Sequence, residues 1–425
     1  MKKALLVLGL VALFAGPALA ITGGYGGYIY WSATDTTSGA MSKYIMWQGE
    51  IDTGFVKVGA PVNFDNVAHN NTYVSWTAMQ RRNNLEVFDP REDGGQGTLL
   101  QPAITNNTPP SSGYTGASYN VPWDIIKVDP SGPTQTNICD GRINVGGAWH
   151  TQWFGKALTA PDPWLQGTTS NGLSLATTTG IWSLYANALY DTNGDTTIDN
   201  TTNEGKRLLY VYSGSTPLDV EMGDDGALYY STSNSVKRMW VDATGVGHEE
   251  TILTVGGALN PVGFNSDGMG IAVGPGNNPI IYLMARDNET QLDTIFALRD
   301  SAGDADNLID QVEWVWQRGN HGLNNLHSAN INFYGEDVEY WENPDNGDKF
   351  LFANGYSGYL FALELYDNGL RSVDGVQIYG NNEGPKWSSG GFELDMNPIP
   401  EPTTLLLLGS GVLGMIGYIR RRRMT

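Results

Sequence analysis

Along most of the chain, short apolar runs alternate with short polar breaks. Residues 218–242 show the pattern best. An apolar stretch leads to Asp224-Asp225-Gly226, then come Ala227–Ser231, a Ser-Asn break and Val236–Val241. The layout recurs in residues 269–300 and 346–365, and near the N-terminus in residues 27–52 and 72–89. Each copy predicts a strand–turn–strand pair, because the runs are β-branched or aromatic and the breaks hold Gly, Asn or Asp. Asp345-Asn346-Gly347-Asp348 and Asp367-Asn368-Gly369 predict hairpin turns, with Asn-Gly supplying positive φ. No amphipathic helix of useful length is visible between Ile21 and Asn397.

Repetition on this scale decides the fold class. Landmark strands near residues 28 and 72, and near 228 and 280, are 44 and 52 residues apart, which fits the roughly 40–50 residues of a propeller blade. The 377 residues from Ile21 to Asn397 then predict an all-β fold, a β-propeller of about seven blades. A tandem β-sandwich is the alternative. Radial repetition shields strand edges, which favours the propeller. The one cysteine, Cys139, reads as a buried thiol and cannot form an internal disulfide, so burial must hold the domain together. Gly226-Ala227-Leu228-Tyr229 resembles blades of NHL and gluconolactonase-type propellers. The gluconolactonase resemblance implies acids and Asn around a metal in the central channel, but no residue set in this sequence stands out for that role. Residues 91–180 fit the repeat poorly. They hold Pro109–Ser112 and four tryptophans, Trp123, Trp149, Trp153 and Trp164, and read as two degenerate blades with long loops or as an inserted subdomain.

The two ends differ from the rest. Lys2 and Lys3 precede an apolar run from Ala4 to Ala15, and Ala18-Leu19-Ala20 is a small-x-small cleavage site. Residues 1–20 therefore read as a signal peptide for signal peptidase, and the mature chain begins at Ile21. At the other end, residues 398–425 hold a proline-rich breaker, an apolar run from Leu405 to Ile419, and Arg420-Arg421-Arg422-Arg423. As a helix the 15-residue run is about 23 Å long, marginal for a bilayer core of about 30 Å. The arginines hold their end in the cytoplasm. The order resembles the PEP-CTERM sorting signal of Gram-negative bacteria, with Pro400-Glu401-Pro402 as the namesake tripeptide. That resemblance implies exosortase as a partner, an inner-membrane-anchored precursor, and delivery to the cell surface or extracellular matrix, commonly with exopolysaccharide.

Charge narrows the partners. The exported part keeps 18 basic and 44 acidic residues, a net of −26, which repels nucleic acid and anionic lipid and attracts cations. Asp191, Asn193, Asp195, Thr197 and Asp199 place oxygen ligands at alternate positions of a tight loop, as calcium loops do. Thr196 replaces the usual Gly and Thr202 the bidentate Glu, so Ca²⁺ affinity is expected to be weakened. Asp300, Asp304, Asp306 and Asp310 are less regular and read as solvated surface. His69, His150, His248, His321 and His327 form no metal-ligand pair, and neither a nucleophile elbow nor a P-loop is present. Most tryptophans are expected between blades. The four in residues 91–180 are the candidates for stacking on polysaccharide. The reading is a non-catalytic, calcium-stabilised, exported propeller. Its rival is a secreted metal-dependent hydrolase of lactones or glycosides.

Overall fold

The computed structural model describes residues 25–34, 44–63, 86–88, 98–104, 123–129, 134–140, 142–145, 148–151, 157–159, 172–176, 180–185, 206–211 and 217–398, less 245, 257–260, 264–268, 302–307, 320–334, 345, 356–357, 381–382 and 384–391. Between 86 and 211 the description is of the backbone alone. The described residues form strands and turns and no helix, and none of them provides a helix long and apolar enough to cross a membrane.

Six antiparallel sheets of four or five strands account for nearly all of it, with a two-stranded hairpin, Arg142–Val145 with Ala148–Thr151, as a seventh. In blade one the C-terminal strand Phe392–Pro398 is innermost, followed by Tyr25–Thr34, Tyr44–Ile51 and Val62–Asn63. Blade two runs Glu86–Phe88, Thr98–Ile104, Trp123–Asp129 and Thr134–Asp140. Blade three runs Ala157–Thr159, Gly172–Ala176, Gly180–Tyr185 and Lys206–Val211. Blade four runs Asp219–Met222, Leu228–Ser231, Ser235–Val241 and Gly247–Thr254. Blade five sets Val262–Gly263 and Ile271–Val273 against Ile281–Asp287, then Asp293–Arg299 and Gln311–Gln317. Blade six runs Gly335–Glu342, Lys349–Gly355, Tyr359–Leu365 and Ser372–Tyr379. Inner strands of blades three, four, five, six, one and two pack side by side in that order. This is a propeller closed by pairing its last strand with its first, and residues 91–180 supply blade strands plus the extra hairpin.

The core lies between blades. Ile281, Leu283 and Ala285 pack against blade four, whereas Tyr282 and Met284 pack against blade six. Likewise Phe350 and Phe352 face blade one, and Leu351 and Ala353 face blade five. A strand buried on both faces reads as a continuous apolar run, which explains IYLMA and FLFA in the sequence. Each such side chain contributes about 1.5–3 kcal/mol of burial. Trp31 and Trp316 are buried in these layers, and Trp47, Trp240, Trp314 and Trp341 pack against them.

The turns follow a shared design. Gly226, Gly347 and Gly369 have φ of +76°, +77° and +70°. In each, an Asx side chain accepts the backbone N–H two residues further on: Asp225 from Ala227, Asn346 from Asp348 and Asn368 from Leu370. The Asn-Gly turns are longer than a two-residue hairpin. Asn343 N–H donates to the Asp348 carbonyl and Tyr366 N–H to the Arg371 carbonyl, with four residues enclosed each time. A two-residue turn of the Asn-Gly kind needs two positive φ values, and here only the glycine has one.

Candidate functional site

Five carboxylates from three blades converge near the starts of the inner strands. Blade four's inner strand opens Asp219-Val220-Glu221, and blade six's carries Asp337-Val338-Glu339. The closing strand adds Glu393. Residues two apart in a strand share a face, so each Asp and Glu point together while Val turns away into the core. Asp219 and Asp337 are 2% and 1% exposed.

The two aspartates repeat one geometry. Asp219 accepts the N–H of Val220 at 2.9 Å and, across the blade boundary, that of Ile271 at 2.7 Å. Asp337 accepts the N–H of Val338 at 2.9 Å and that of Phe392 at 3.3 Å. Ile271 and Phe392 each begin a segment in the next blade. Each Asp thus staples its blade to the following one, and the two share a hydrogen bond with each other. Asn354, fully buried in blade six, accepts the Asp337 N–H at 2.9 Å. Its Nδ2 is a buried donor without a partner among the described residues.

Burial and crowding make this group hold protons. Burial pushes the Asp219 carboxyl up to about 7, against the pull of the Ile271 and Val220 N–H groups and Asp337. Burial also raises Asp337 well above the usual carboxylate range, and the Asp219 charge adds to it. Glu339 is raised by burial and then by Glu393, Asp337, Glu221 and Asp219. Glu221 retains some surface yet is walled by protein. That enclosure, then Glu393 and Asp219, raises it too. Carboxyls this close cannot all ionise near neutrality, so they share protons. Chemically, the set can store and relay protons and can attract a cation. As a metal cage it does not fit: among the described residues no group of three or more His, Cys, Asp or Glu is arranged to hold an ion, and both oxygens of each Asp are committed to backbone N–H groups.

The sequence pattern missed this site. Its one visible signal was the tripeptide Asp-Val-Glu, repeated at the first strand of two blades. The calcium-loop residues Asp191, Asn193, Asp195, Thr197 and Asp199, the cleavage residues Ala18 and Ala20, and Pro400, Glu401, Pro402 and Arg420 to Arg423 lie outside the described residues. So do the side chains of Cys139, Trp123, Trp149, Trp153 and Trp164. His248 bonds Asp242 at 2.8 Å and stacks on Trp240, as a surface pair. Asp310 accepts the Ser301 N–H and hydroxyl, closing a surface loop. A separate cleft of about 150 Å³ opens between blades four and five. Ile252, Ile281 and Ile309 line it together with Asp225, Tyr229, Arg238, Asn277, Asn278 and Asp300.

Comparison with known proteins adds the address. Residues 398–423 match the PEP-CTERM protein-sorting motif. The match starts on the last residue of the closing strand. The motif implies export, a membrane-anchored precursor and processing by exosortase. No curated protein has a matching sequence. Similar solved structures include a luciferin-regenerating enzyme (9% identity, 71% of this chain and 79% of that one, TM-score 0.37). A streptogramin B lyase matches at 12% identity over 86% and 87%, TM-score 0.37. A calcium-binding regucalcin from Agrobacterium tumefaciens matches at 12% over 72% and 76%, TM-score 0.38. Likeness this distant carries no functional argument, and the propeller assignment rests on the strand order and ring closure described above.

Proposed function

We propose that the chain is an exported, exosortase-sorted β-propeller that serves at the cell surface or in the extracellular matrix as a non-catalytic binding or structural module for exopolysaccharide. The observation that carries the reading is the junction at Pro398, where the ring-closing strand ends and the sorting motif begins. A cut near Pro400-Glu401-Pro402 leaves every propeller strand on the delivered domain. The cleft between blades four and five, lined by isoleucines and by the exposed amides of Asn277 and Asn278, suits a sugar ring, whose faces are apolar and whose edges bear hydroxyls. Deleting Pro400 to Thr425 should leave a protein that is exported but neither held nor processed at the membrane, and unchanged fractionation would refute the sorting role. Mass spectrometry of the mature C-terminus locates the cut.

One observation favours a second reading, an exported hydrolase of lactones or glycosides. Five carboxylates converge on the inner strands, Asp219, Glu221, Asp337 and Glu339 among them with raised proton affinity, and paired acids are what such hydrolysis requires. Turnover of a lactone or glycoside panel that is lost in Glu221→Gln and Glu339→Gln would establish it. Absence of turnover in the processed protein leaves the binding module.

A further inference from the structure

The inner strands of blades four, five, six and one start at one end of the ring. Asp219, the first residue of its strand, bonds Ile271, the first of the next inner segment, and Asp337 bonds Phe392, the first of the closing strand. The Asp219–Asp337 hydrogen bond ties the starts in blades four and six together. The acid cluster therefore marks a start end. The turns that leave the inner strands, residues 223–227, 274–280 and 343–348, mark the opposite, exit end.

Tyr25 and Pro398, the first and last described residues, both lie at the exit end. In the closing pair, Phe392 lies opposite Trp31 and Pro398 opposite Tyr25. From Phe392 to Pro398 the strand climbs about 20 Å at ~3.3 Å per residue. Tyr25 follows the expected mature N-terminus by four residues, and only residues 399–404 separate Pro398 from the apolar run at Leu405. Fully extended, that tether reaches at most about 24 Å. In an inverted propeller it would spend nearly all of this length climbing back along the ring.

We propose that the membrane-held precursor stands on its exit end, with turns 223–227, 274–280 and 343–348 toward the bilayer and the carboxylate end facing away from it. This orientation rests on the anchored-precursor reading above. The tether sets it, not adhesion, because exposed Asp224 and Asp348 on the exit turns repel anionic headgroups. Two consequences follow. The carboxylate end is open to solutes throughout processing, whereas the inter-blade cleft, lined in part by Asn277 and Asn278 of an exit turn, is freed only by release.

The test uses the full, uncleaved chain in phosphatidylcholine vesicles doped with a nitroxide-headgroup lipid. In a Cys139→Ser background, a bimane probe is placed at Asn277→Cys on the exit turn or at Glu289→Cys on the start-end turn of the same blade. Both positions are exposed. Quenching should be several-fold stronger at 277 than at 289. Equal or reversed quenching with the chain still floating with the vesicles overturns the orientation alone. Quenching at neither site, with the chain lost from the floated vesicles, sinks the anchoring reading and the orientation with it. Hydrogen exchange on the unmodified chain gives the same decision without variants: vesicles should slow exchange in residues 274–280 and leave 288–291 unchanged, and the opposite order refutes the proposal.

Discussion

Asp337 shows what one buried side chain does here. It satisfies the N–H groups of Val338 and Phe392 and so fastens blade six to the closing strand. In Asp337→Ala both donors lose their acceptor, at about 1–3 kcal/mol each, so urea unfolding should register a loss of about 2–5 kcal/mol. Titration of the same group gives a sign. The Asp219 carboxyl rises from 3.8 to about 7 on folding, so the folded chain holds the proton more tightly than the unfolded one. Its contribution is fully present below 3.8, falls as pH rises through about 7, and stays absent above that. Asp242 works in the opposite direction. His248, the Thr244 hydroxyl and the Val246 N–H hold it below the usual range, so its contribution is lost as pH falls. Melting temperature should therefore peak in the weakly acidic range and drop by several degrees toward pH 8.5. A profile rising from pH 5 to 8.5 would contradict the buried, protonated pair. None of this is legible in the sequence, where Asp219 and Asp337 are two acids among forty-five.

At the scale of elements, the hairpins were the legible part. The strands expected at 227–231 and 236–241 appear as Leu228–Ser231 and Ser235–Val241, and the repeat expected across 269–300 appears as Ile271–Val273, Ile281–Asp287 and Asp293–Arg299. Local turn chemistry and strand composition specify these pairs. Ring closure is different, because Tyr25–Thr34 and Phe392–Pro398 lie at opposite ends of the sequence and neither signals its partner. A chain ending at residue 391 lacks this pairing and the Phe392 end of the Asp337 staple. It should melt broadly and early, whereas one ending at 398 should melt as a single sharp transition. Phe55 is a second non-local element. Held at φ +56° in the turn after Tyr44–Ile51, its ring meets Phe350 at 5.0 Å and Phe352 at 5.2 Å edge-on, joining blade one to blade six. Phe55→Ala should cost about 3–5 kcal/mol by the cavity it leaves, read as a shift of the urea midpoint.

For the whole molecule, the expected calcium loop can be tested without knowing its geometry. If Asp191 to Asp199 hold Ca²⁺ in the folded state alone, excess EDTA should lower the melting temperature and added Ca²⁺ restore it. An unchanged melt removes the site. What the sequence by itself determined is what depends on neighbours along the chain. It specified the C-terminal sorting motif, the hairpin repeat, the acidic composition and, from the repeat, the propeller class. The tertiary structure alone decided which strand closes the ring, that the two Asp-Val-Glu tripeptides and Glu393 meet, and that Tyr25 and Pro398 lie together at the end opposite those acids. Convergence of residues from about fifty to well over a hundred positions apart depends on how blades pack, and a carboxylate's proton affinity depends on the water that packing removes. Neither quantity is written in any local stretch of the sequence.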